Sequence, residues 1–508
     1  MALHDFTFYD LINRNAVCYK NRTAWLEVDD QRTLSFADIK QQVDRLAGGL
    51  QQAGVQKGDR IGVLGKNSIE YFLLYGAAAA IGAIVLPVNW RLSAEEVIFN
   101  LNDGTPKLLF ADPEYQSMIG SAKERLPSVQ RYFNLKPPGG AFDDFNDLLK
   151  SSAGSRPAEV SDADGLVIIH TAAVAGRPRG ALLTHRNLIS ANIHLNLLMP
   201  LSPQDVHLNL LPLFHVGGLF MATMAFHAGA LNLNMSKFDA AQAVDLIAEK
   251  KVTVLFDFSP ILGSILDQQA KTGKAISSLR HVIGLEGAET IEKYQKQTGG
   301  TFYVMYGQTE TSAIATLGRY NDRPGSAGRT IPLADVKLVD ENERAVPAGQ
   351  VGEIAVKGPM VFSGYWNLPE DTAHTFRGGW HHTGDLARFD EDGFLFYAGR
   401  KPEKELIKPG GENVYPAEVE KAILEHPAVE MTVVFGVPDP KWKEGIKAVC
   451  RLKAGQKLAA KELIKFVGER IASYKKPQQV EFVAEMPLLA DGSPDRAKVK
   501  EQFGGAQK

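Results

Sequence analysis

The chain has 508 residues, of which 44% are hydrophobic and 23% are charged, and this composition excludes a largely disordered protein. Its 56 Lys and Arg residues nearly balance its 59 Asp and Glu residues, which gives a net charge of −3. The charge therefore provides no overall attraction to nucleic acid or to an anionic membrane, and any bound phosphate must be held by local features.

The first five residues and the cysteines give no sign of a secreted protein. Residues 1–5 lack the basic region and apolar core of a secretory signal. Cys18 and Cys450 lie far apart and form no CxxC pair, so neither a disulfide framework nor a zinc motif is predicted. A cytoplasmic location is the resulting expectation.

An uncharged run from Tyr71 to Val88 is long enough to suggest a membrane span. It is rich in Ala and Gly and contains Pro87. We predict instead a buried helix over about Ser68–Ala80 followed by a buried strand at Ala83–Leu86, because short apolar runs are typical of parallel sheets.

Apolar strand patterns alternate with amphipathic helical patterns through the first four hundred residues. This alternation predicts an α/β fold with parallel-rich sheets covered by helices, and ligands in such folds bind at the carboxyl ends of strands. The predicted strands are Arg60–Leu64, Ala83–Leu86, Lys107–Ala111, Leu166–His170, Val206–Leu211 and Val252–Phe256, and the predicted helices include Ala37–Ala53, Ala94–Asn100 and His185–Leu198.

The pattern changes after about Ala334. Short strands with turn signals predict a small antiparallel subdomain at about 334–398, and a charged joint at Gly399–Glu405 leads to a separate α+β unit. We therefore predict an N-terminal domain over 1–400 and a C-terminal domain over 401–508. The elements expected here are strands Val336–Val339, Gly352–Lys357, Gly393–Tyr397, Thr432–Val437, Ile446–Leu452 and Val480–Val483, with helices Pro416–Glu425 and Ala459–Ser473.

Several loops carry residues suited to nucleotide chemistry. The strand Leu166–His170 leads into the small-residue loop Thr171–Gly180, which could present backbone N–H groups to phosphate before a helix begins near Thr184 or His185. Arg177 and Arg179 would add charge-assisted contacts. An ordinary strand-to-helix turn is the alternative.

Two further motifs contain carboxylates. Tyr306-Gly-Gln-Thr-Glu310 follows a strand, and its Glu could bind Mg²⁺ while its Thr meets a phosphate; a capped turn is the alternative. Trp380-His-His-Thr-Gly-Asp385 resembles a turn that ends in a buried carboxylate, which could accept ribose hydroxyls or cap a helix. A metal site at the two histidines is not favoured, because neighbouring side chains rarely point the same way.

Two glycine-rich segments complete the set. Phe214-His-Val-Gly-Gly218 places an imidazole beside glycines that permit close approach of a ligand, although a structural histidine is an equal alternative. Pro409–Pro416 is too rich in glycine for the middle of a strand.

Together these segments resemble the adenylate-forming superfamily, which includes acyl-CoA synthetases, aryl-CoA ligases, luciferase and non-ribosomal peptide adenylation domains. The likeness covers nearly the whole chain in order and is closest to bacterial feruloyl- or fatty-acyl-CoA synthetases. Its motifs are Leu34-Ser-Phe, Thr171–Gly180, Pro212–His215, Tyr306–Glu310, Thr383–Asp385, Gly399-Arg400, Gly410–Asn413 and Tyr474–Pro477.

The resemblance implies a two-step reaction that uses ATP, Mg²⁺, CoA and a carboxylic acid, with a C-terminal unit that rotates between the steps. A homodimer is common in the superfamily, but no residue here argues for one. The implied nucleotide-binding residues are Thr171, Gly176, Gly287, Ala288, Glu289, Tyr306, Gly307, Gln308, Thr309, Asp385 and Arg400. The implied catalytic residues are Arg179, Thr309, Glu310 and Lys408, with Glu310 as the metal ligand. The acyl pocket would comprise His215, Val216, Gly217 and Phe258, and Gly410, Gly411 and Glu412 would contact CoA.

Three positions depart from the superfamily pattern. The Thr171–Gly180 loop has lost three hydroxyls, and its lysine is replaced by Arg179. The terminal Gly-Lys is replaced by Gly492-Ser493, so a cation expected near the α-phosphate is missing; Arg496 or Lys498 could replace it, or could be solvated helix residues. Pro402 lies in the expected hinge.

The sequence leaves three functions open. The leading hypothesis is an AMP-forming acyl-CoA synthetase with an altered adenylation site. The second is a non-catalytic homologue that binds nucleotide or acyl-CoA, and the third is an adenylation enzyme that transfers to a carrier protein. The acid is not predicted, because Phe214, Phe256 and Phe258 would suit any apolar pocket or an ordinary core.

Overall fold

A computed structural model of the chain describes residues 3–136, 139–150, 159–171, 178–401, 405–409, 413–439, 443–489 and 492–505. The chain forms two compact units. Unit 1 comprises Met1–Trp90, Asn100–His170 and Gly180–Gly399, and unit 2 comprises Arg91–Phe99, Thr171–Arg179 and Arg400–Lys508.

The α-helices of the described residues lie in both units. They are α1 Phe8–Cys18, α2 Phe36–Gln52, α3 Ile69–Ile81, α4 Ala94–Gly104, α5 Pro113–Ser121, α6 Phe145–Leu149, α7 His185–Leu198, α8 Val216–His227, α9 Ala240–Lys250, α10 Ile261–Thr272, α11 Ala288–Thr298, α12 Pro369–Thr375, α13 Pro416–Leu424, α14 Ala460–Gly468 and α15 Arg496–Phe503.

The strands of the described ranges form four sheets. They are β1 Thr23–Glu27, β2 Thr33–Ser35, β3 Arg60–Leu64, β4 Ile84–Val88, β5 Leu108–Ala111, β6 Arg131–Asn134, β7 Gly165–Thr171, β8 Arg179–Thr184, β9 Val206–Asn209, β10 Leu231–Asn234, β11 Val254–Phe258, β12 His281–Leu285, β13 Thr301–Tyr306, β14 Thr316–Arg319, β15 Arg329–Thr330, β16 Asp335–Val339, β17 Gly352–Lys357, β18 Gly364–Tyr365, β19 His381–Phe389, β20 Leu395–Arg400, β21 Val429–Asp439, β22 Lys443–Leu452 and β23 Gln479–Phe482.

The nine-stranded, seven-stranded and four-stranded sheets belong mainly to unit 1. A nine-stranded sheet has the order β15-β14-β13-β12-β11-β9-β10-β1-β2, and a seven-stranded sheet has the order β18-β8-β7-β4-β3-β5-β6. A four-stranded sheet has the order β16-β17-β19-β20, and unit 2 contains the three-stranded sheet β21-β22-β23. The predicted fold class, with parallel-rich sheets, a small antiparallel sheet and an α+β C-terminal part, is confirmed.

The core of unit 1 explains the uncharged run that resembles a membrane span. Helix α3 is buried along its whole length; it begins after the N-cap Ser68 and ends at Gly82, which adopts a left-handed conformation. Its Phe72 packs against Trp25 of β1 and Phe226 of α8, with ring centroids 4.6 and 5.5 Å apart. The prediction of a buried helix and strand is therefore correct, with β4 two residues later than expected at its end. Among the described residues no helix is both long and apolar enough to cross a membrane.

Capping residues set the start of the helices that follow the main loops. Thr184 is the N-cap of α7, where its side chain accepts from the Asn187 N–H and the Asn187 side chain accepts from the Thr184 N–H. The predicted helix His185–Leu198 is confirmed at both ends. The sequence did not predict β8, the strand immediately before it, which pairs with β18 through Ala181 and Leu182.

Candidate active site

Four parallel strands of the nine-stranded sheet end side by side and bring the predicted residues to one edge. Strands β9, β11, β12 and β13 run parallel, with Phe258 opposite Leu285 and Gly284 opposite Val304. The residues that follow β9, β12 and β13 include His215, Gly287 and Gly307. Because carboxyl ends of parallel strands are where α/β folds bind ligands, this edge is the candidate active site.

The Asp385 carboxylate lies in the interior of this site. It is 3% exposed, and its Oδ2 accepts hydrogen bonds from the Tyr306 hydroxyl at 2.7 Å and from Gln308 Nε2 at 2.6 Å. Burial, reinforced by the neighbouring Asp385 charge, raises the pKa of Tyr306 well above its usual value, so its hydroxyl stays a donor. The structure therefore joins the Tyr306 and Asp385 motifs, which lie far apart in the sequence.

The other oxygen of this carboxylate lies towards a half-exposed tyrosine. Tyr397 of β20 is 49% exposed, and its hydroxyl lies 3.4 Å from Asp385 Oδ1. The Tyr397 ring is stacked near Tyr306, with ring centroids 6.4 Å apart. Asp385 Oδ1 thus faces the more accessible part of the site.

A second buried carboxylate lies two residues after Gln308. Glu310 belongs to the short 3₁₀ turn Thr309–Thr311, and its Oε1 accepts a hydrogen bond of 2.8 Å from the Tyr365 hydroxyl. Both side chains are buried. The turn is tight: a Cβ on Gly307 would lie 1.9 Å from the Ala313 carbonyl oxygen, so this position requires glycine.

The Glu310 carboxylate and the Thr309 hydroxyl have oxygen atoms suited to a magnesium ion that is bound together with a nucleotide. Mg²⁺ is commonly held by one or two carboxylates together with substrate phosphates and water. Glu310 supplies one hard oxygen donor, and the Thr309 hydroxyl lies next to it in sequence. In the described ranges no group of three or more His, Cys, Asp and Glu side chains forms a ready-made metal site.

The predicted acyl-pocket residues are brought together at the start of α8 and the end of β11. His215 is the N-cap of α8, where its Nδ1 accepts the Gly217 N–H at 3.1 Å. The His215 and Phe258 rings meet edge to face at 6.2 Å, and Phe256 packs against Phe258 at 5.1 Å. Val216 is buried in the first turn of the same helix. An imidazole and two aromatic rings therefore form one apolar wall.

The predicted adenine-binding residues occupy the start of α11. Gly287 is its N-cap, and Ala288 and Glu289 form its first turn. All three are exposed. They follow β12, the neighbour of β13, so they lie next to the strand that ends in Tyr306.

The remaining predicted residues belong to unit 2 or fall outside the described ranges. Thr171 and Arg179 are the end of β7 and the start of β8, and the Thr171 hydroxyl donates to the Arg179 carbonyl oxygen at 3.4 Å. Arg400 is the last residue of β20, and the exposed Lys408 donates its backbone N–H to Glu444 at 2.7 Å. The predicted positions Gly176, Gly410, Gly411 and Glu412, and Pro402 in the expected hinge, lie outside the described residues.

The two residues considered as replacements for the missing lysine are engaged in ion pairs. Arg496 contacts the Glu420 and Glu405 carboxylates and the Val434 carbonyl oxygen. Lys498 lies 3.3 Å from Asp495, the N-cap of α15. Ser493 itself is exposed in the turn before this helix.

The structure corrects the prediction that Trp380–Asp385 is a turn, although the carboxylate that ends it is buried as expected. His381–Asp385 lie inside β19, which pairs antiparallel with β17 and has a register shift between Glu353 and Ala355. The two histidines at the start of β19 have different partners: His381 contacts Thr375 and Gln308, whereas His382 contacts Glu353. Alternation along the strand explains this divergence.

Three residues of the site were not predicted from the sequence, namely Tyr365, Tyr397 and, as a partner of Gln308, His381. Each contacts a predicted residue from another sheet or turn. The Gly364-Tyr365 pair before a proline-started helix and the aromatic residues before Gly399 were visible signals, but neither identified a partner.

Comparison with known proteins gives the same assignment as the motifs. Residues 12–366 match the family described as AMP-binding enzyme, and residues 418–492 match the AMP-binding enzyme C-terminal domain. A feruloyl-CoA synthase from Amycolatopsis sp. is 33% identical over 480 residues, covering 93% of this chain and 94% of the relative. The fatty acid–[acyl-carrier-protein] ligase ScoC from Streptomyces coeruleorubidus is 33% identical over 488 residues, covering 93% and 92%.

A solved structure has a similar fold over nearly the whole length of this chain. The o-succinylbenzoate CoA synthetase MenE of Bacillus subtilis, a double mutant bound to a product analogue, superposes with a TM-score of 0.85 at 26% identity and covers 98% of this chain and 99% of that one. The resemblance inferred from the motifs is thereby confirmed. The chain belongs to the AMP-binding enzyme family.

Proposed function

We propose that the protein is an AMP-forming acyl-CoA synthetase, an acid–thiol ligase. A carboxylate attacks the α-phosphorus of ATP and releases pyrophosphate, giving acyl-AMP. The thiol of CoA then attacks the acyl carbon, forms the thioester and releases AMP. Relatives that are similar over almost the full chain are described as CoA synthetases, which supports the leading hypothesis. None of those named favours a non-catalytic homologue.

The observation that carries this proposal is the hydrogen-bonded group of Tyr306, Gln308 and Asp385 at the carboxyl edge of a parallel sheet. In the proposal, Asp385 accepts ribose hydroxyls through Oδ1, and Tyr306 with Gly287–Glu289 encloses adenine. Thr309 contacts the α-phosphate, and Arg400 binds close to the ribose and phosphates. A buried carboxylate fixed by two donors suits this role, because little reorganisation is needed when the nucleotide binds.

Magnesium would be held by Glu310 and by the nucleotide phosphates. When bound, it supplies positive charge to the phosphate oxygens. The protein orients the Glu310 carboxylate through the hydrogen bond that the Tyr365 hydroxyl donates to one of its oxygens.

The acid would bind along the wall formed by His215, Val216, Gly217 and Phe258. This wall is apolar and aromatic, which favours an acid with an apolar body over a small polar one. In unit 2, Lys408 and the Gly410–Glu412 segment would serve the CoA step, while Thr171, Gly176 and Arg179 would bind pyrophosphate. We include the cytoplasmic location expected from the sequence in this proposal.

The direct test separates the two half-reactions. ATP–pyrophosphate exchange is measured with a panel of aromatic, fatty and alicyclic acids, and thioester formation is measured from synthetic acyl-AMP with CoA. We expect exchange with at least one apolar acid and thioester formation from its adenylate. Absence of both activities, with AMP still bound in calorimetry, would leave the non-catalytic homologue as the function.

The acceptor needs its own comparison because ScoC is described as a carrier-protein ligase. The same acyl-AMP is offered to free CoA and to a phosphopantetheinyl carrier protein. Faster transfer to CoA is expected. A strong preference for the carrier protein would replace the CoA ligase with a carrier-dependent enzyme.

A further inference from the structure

A chain of hydrogen bonds leads from the ribose-binding carboxylate proposed above to His381. It begins at Gln308, whose Nε2 lies 2.6 Å from Asp385 Oδ2 and 3.0 Å from the Thr383 carbonyl oxygen. Both of these atoms accept hydrogen bonds, so they must face the amide nitrogen of Gln308. The orientation of the Gln308 amide is thereby fixed, and its Oε1 points away from Asp385.

The Gln308 Oε1 lies 3.3 Å from His381 Nε2. A carbonyl oxygen can only accept, so His381 Nε2 must carry a proton and donate. On the other side of the ring, His381 Nδ1 lies 3.1 Å from the Thr375 hydroxyl. His381 is 1% exposed and Thr375 is 5% exposed, so solvent has little access to the ring. The ring is therefore held between Thr375 and Gln308.

This arrangement determines how Asp385 presents its two oxygens. Asp385 Oδ2 accepts from both Gln308 and Tyr306, which fixes the plane of the carboxylate. Oδ1 is left on the side of the half-exposed Tyr397. Without the His381 donor, the Gln308 amide would lose the hydrogen bond to its oxygen, and its nitrogen would hold Asp385 Oδ2 less firmly.

We propose that His381 is a positioning residue for the nucleotide ribose, acting through Gln308 on Asp385. The inference rests on the proposed function, because it takes the Asp385 carboxylate as the acceptor of the ribose hydroxyls. His381 does not touch the nucleotide. Its effect is confined to interactions that need Asp385 in the correct orientation.

The test compares AMP with 2′,3′-dideoxy-AMP, which lacks the hydroxyls that Asp385 would bind. Both dissociation constants are measured by calorimetry for the wild type and for His381→Phe, which keeps an aromatic ring and removes the donor. The variant is expected to bind AMP roughly 3- to 10-fold more weakly, the equivalent of one hydrogen bond, and dideoxy-AMP unchanged. His381→Gln, whose amide can again donate, should recover much of the AMP affinity.

A double-mutant cycle tests whether His381 acts through Gln308. Gln308→Met removes the amide at a half-buried position, and adding His381→Phe to it should weaken AMP binding no further. If His381→Phe does not fold, His381→Leu, which also removes the donor, takes its place in both measurements.

His382→Phe is the matched control, since the neighbouring ring contacts Glu353 instead of Gln308. It is expected to lower the unfolding temperature without changing the ratio of AMP to dideoxy-AMP affinity. Equal losses for both nucleotides in His381→Phe, or the same selective loss in His382→Phe, would overturn the inference. A wild type that binds neither nucleotide would instead overturn the proposed function on which it depends.

Discussion

The Glu310 carboxylate shows how one tyrosine can set the direction of a proposed metal ligand. Tyr365 is 5% exposed, and its backbone N–H donates to the Thr372 hydroxyl at 2.9 Å, which anchors the residue. Its hydroxyl then fixes Glu310 Oε1 at 2.8 Å. An ion bound through the second oxygen would meet a carboxylate already in place, at a smaller entropic cost.

Tyr365→Phe is therefore expected to weaken the response to magnesium. Losing this hydrogen bond, worth about 0.5–1.5 kcal/mol, should raise the Mg²⁺ concentration for half-maximal pyrophosphate exchange roughly 2- to 10-fold. The rate at saturating Mg²⁺ should change less. A titration of Mg²⁺ at fixed ATP and acid measures both quantities.

Tyr294→Phe serves as the control for this prediction. Tyr294 is also buried, but its hydroxyl donates to the Leu279 carbonyl oxygen, away from the site. It should lose some stability and keep the wild-type Mg²⁺ response. Equal shifts in the two variants would show that Tyr365 affects the fold and not the ion.

Residue identities were easier to predict from the sequence than residue partners. Tyr306, Glu310 and Asp385 were predicted because each belongs to a local motif beside a strand. The partners of these residues come from distant segments: Tyr365 lies 55 residues from Glu310, and Gln308 lies 77 residues from Asp385. The first pair depends on how the seven-stranded sheet, which contains β18, packs beside the nine-stranded one, and the second depends on how the four-stranded sheet does. No local spacing encodes either arrangement.

Helices and strands were predicted best where the hydrophobic pattern of a segment agreed with only one type of secondary structure. Strands Arg60–Leu64 and Gly352–Lys357 were predicted at both ends, since each is an apolar or alternating run between turn residues. Strand β8, Arg179–Thr184, was missed because its Ala and Leu residues have no strong strand propensity and a helix follows directly. Its pairing with the two-residue β18 is a tertiary contact.

Two glycines at the start of α8, Gly217 and Gly218, are packed too closely for a larger residue, but against different neighbours. A Cβ on Gly218 would lie 2.2 Å from the Pro212 carbonyl oxygen, a backbone atom. A Cβ on Gly217 would lie 2.5 Å from the Phe256 ring, which is a side chain of the proposed acyl pocket. The first clash requires the helix to move away from the preceding loop, and the second requires only that the ring shift.

Gly218→Ala should therefore be the less stable variant, by about 1–3 kcal/mol relative to wild type, as expected for overpacking. Gly217→Ala should fold better but show a changed KM for the acid, with smaller acids favoured. Thermal unfolding and KM values across the acid panel measure the two effects. A lower stability for Gly217→Ala, or an unchanged acid preference, would contradict this assignment.

In unit 2, Ser493 stands where the superfamily pattern has a lysine, so the ammonium group expected at this position is missing. This residue is exposed in a turn where the Leu489 N–H donates to the Ser493 carbonyl oxygen at 2.8 Å, so a longer side chain can be accommodated. Arg496, the nearest candidate replacement, is held by Glu420 and Glu405.

Ser493→Lys is expected to raise the rate of ATP–pyrophosphate exchange. A preorganised donor at developing charge contributes about 10²–10³ in kcat, so a gain of at least about tenfold is expected if the first step limits the rate. Ser493→Gln, which adds length without charge, is the control and should give little gain. Equal rates in both variants and the wild type would show that the ammonium does not limit adenylation.

Buried histidines predict how the stability of unit 1 changes with pH. Burial lowers the pKa of His185, His207 and His227 to about 4, so these rings are neutral in the folded protein near neutral pH. An unfolded chain takes up protons at about pH 6.5, below which unfolding is favoured. Stability is therefore fully present above pH 6.5 and falls as the pH drops towards 4. Glu27 acts in the opposite direction, since burial raises its pKa to about 7.

His207→Asn isolates one of these contributions, because asparagine can keep the hydrogen bond that His207 Nδ1 makes with Asn232 Oδ1 at 2.7 Å. Between pH 7.5 and 5 the wild type should lose about 2 kcal/mol more than the variant, the difference expected for a pKa of about 4 against 6.5. Urea unfolding followed through tryptophan fluorescence measures this loss mainly in unit 1, which contains four of the five tryptophans. The variant should be the less stable protein at pH 7.5, because the smaller side chain leaves a cavity, yet have the flatter pH profile. Parallel profiles for the two proteins would mean that His207 is already charged in the folded state or that the ring is not buried as described.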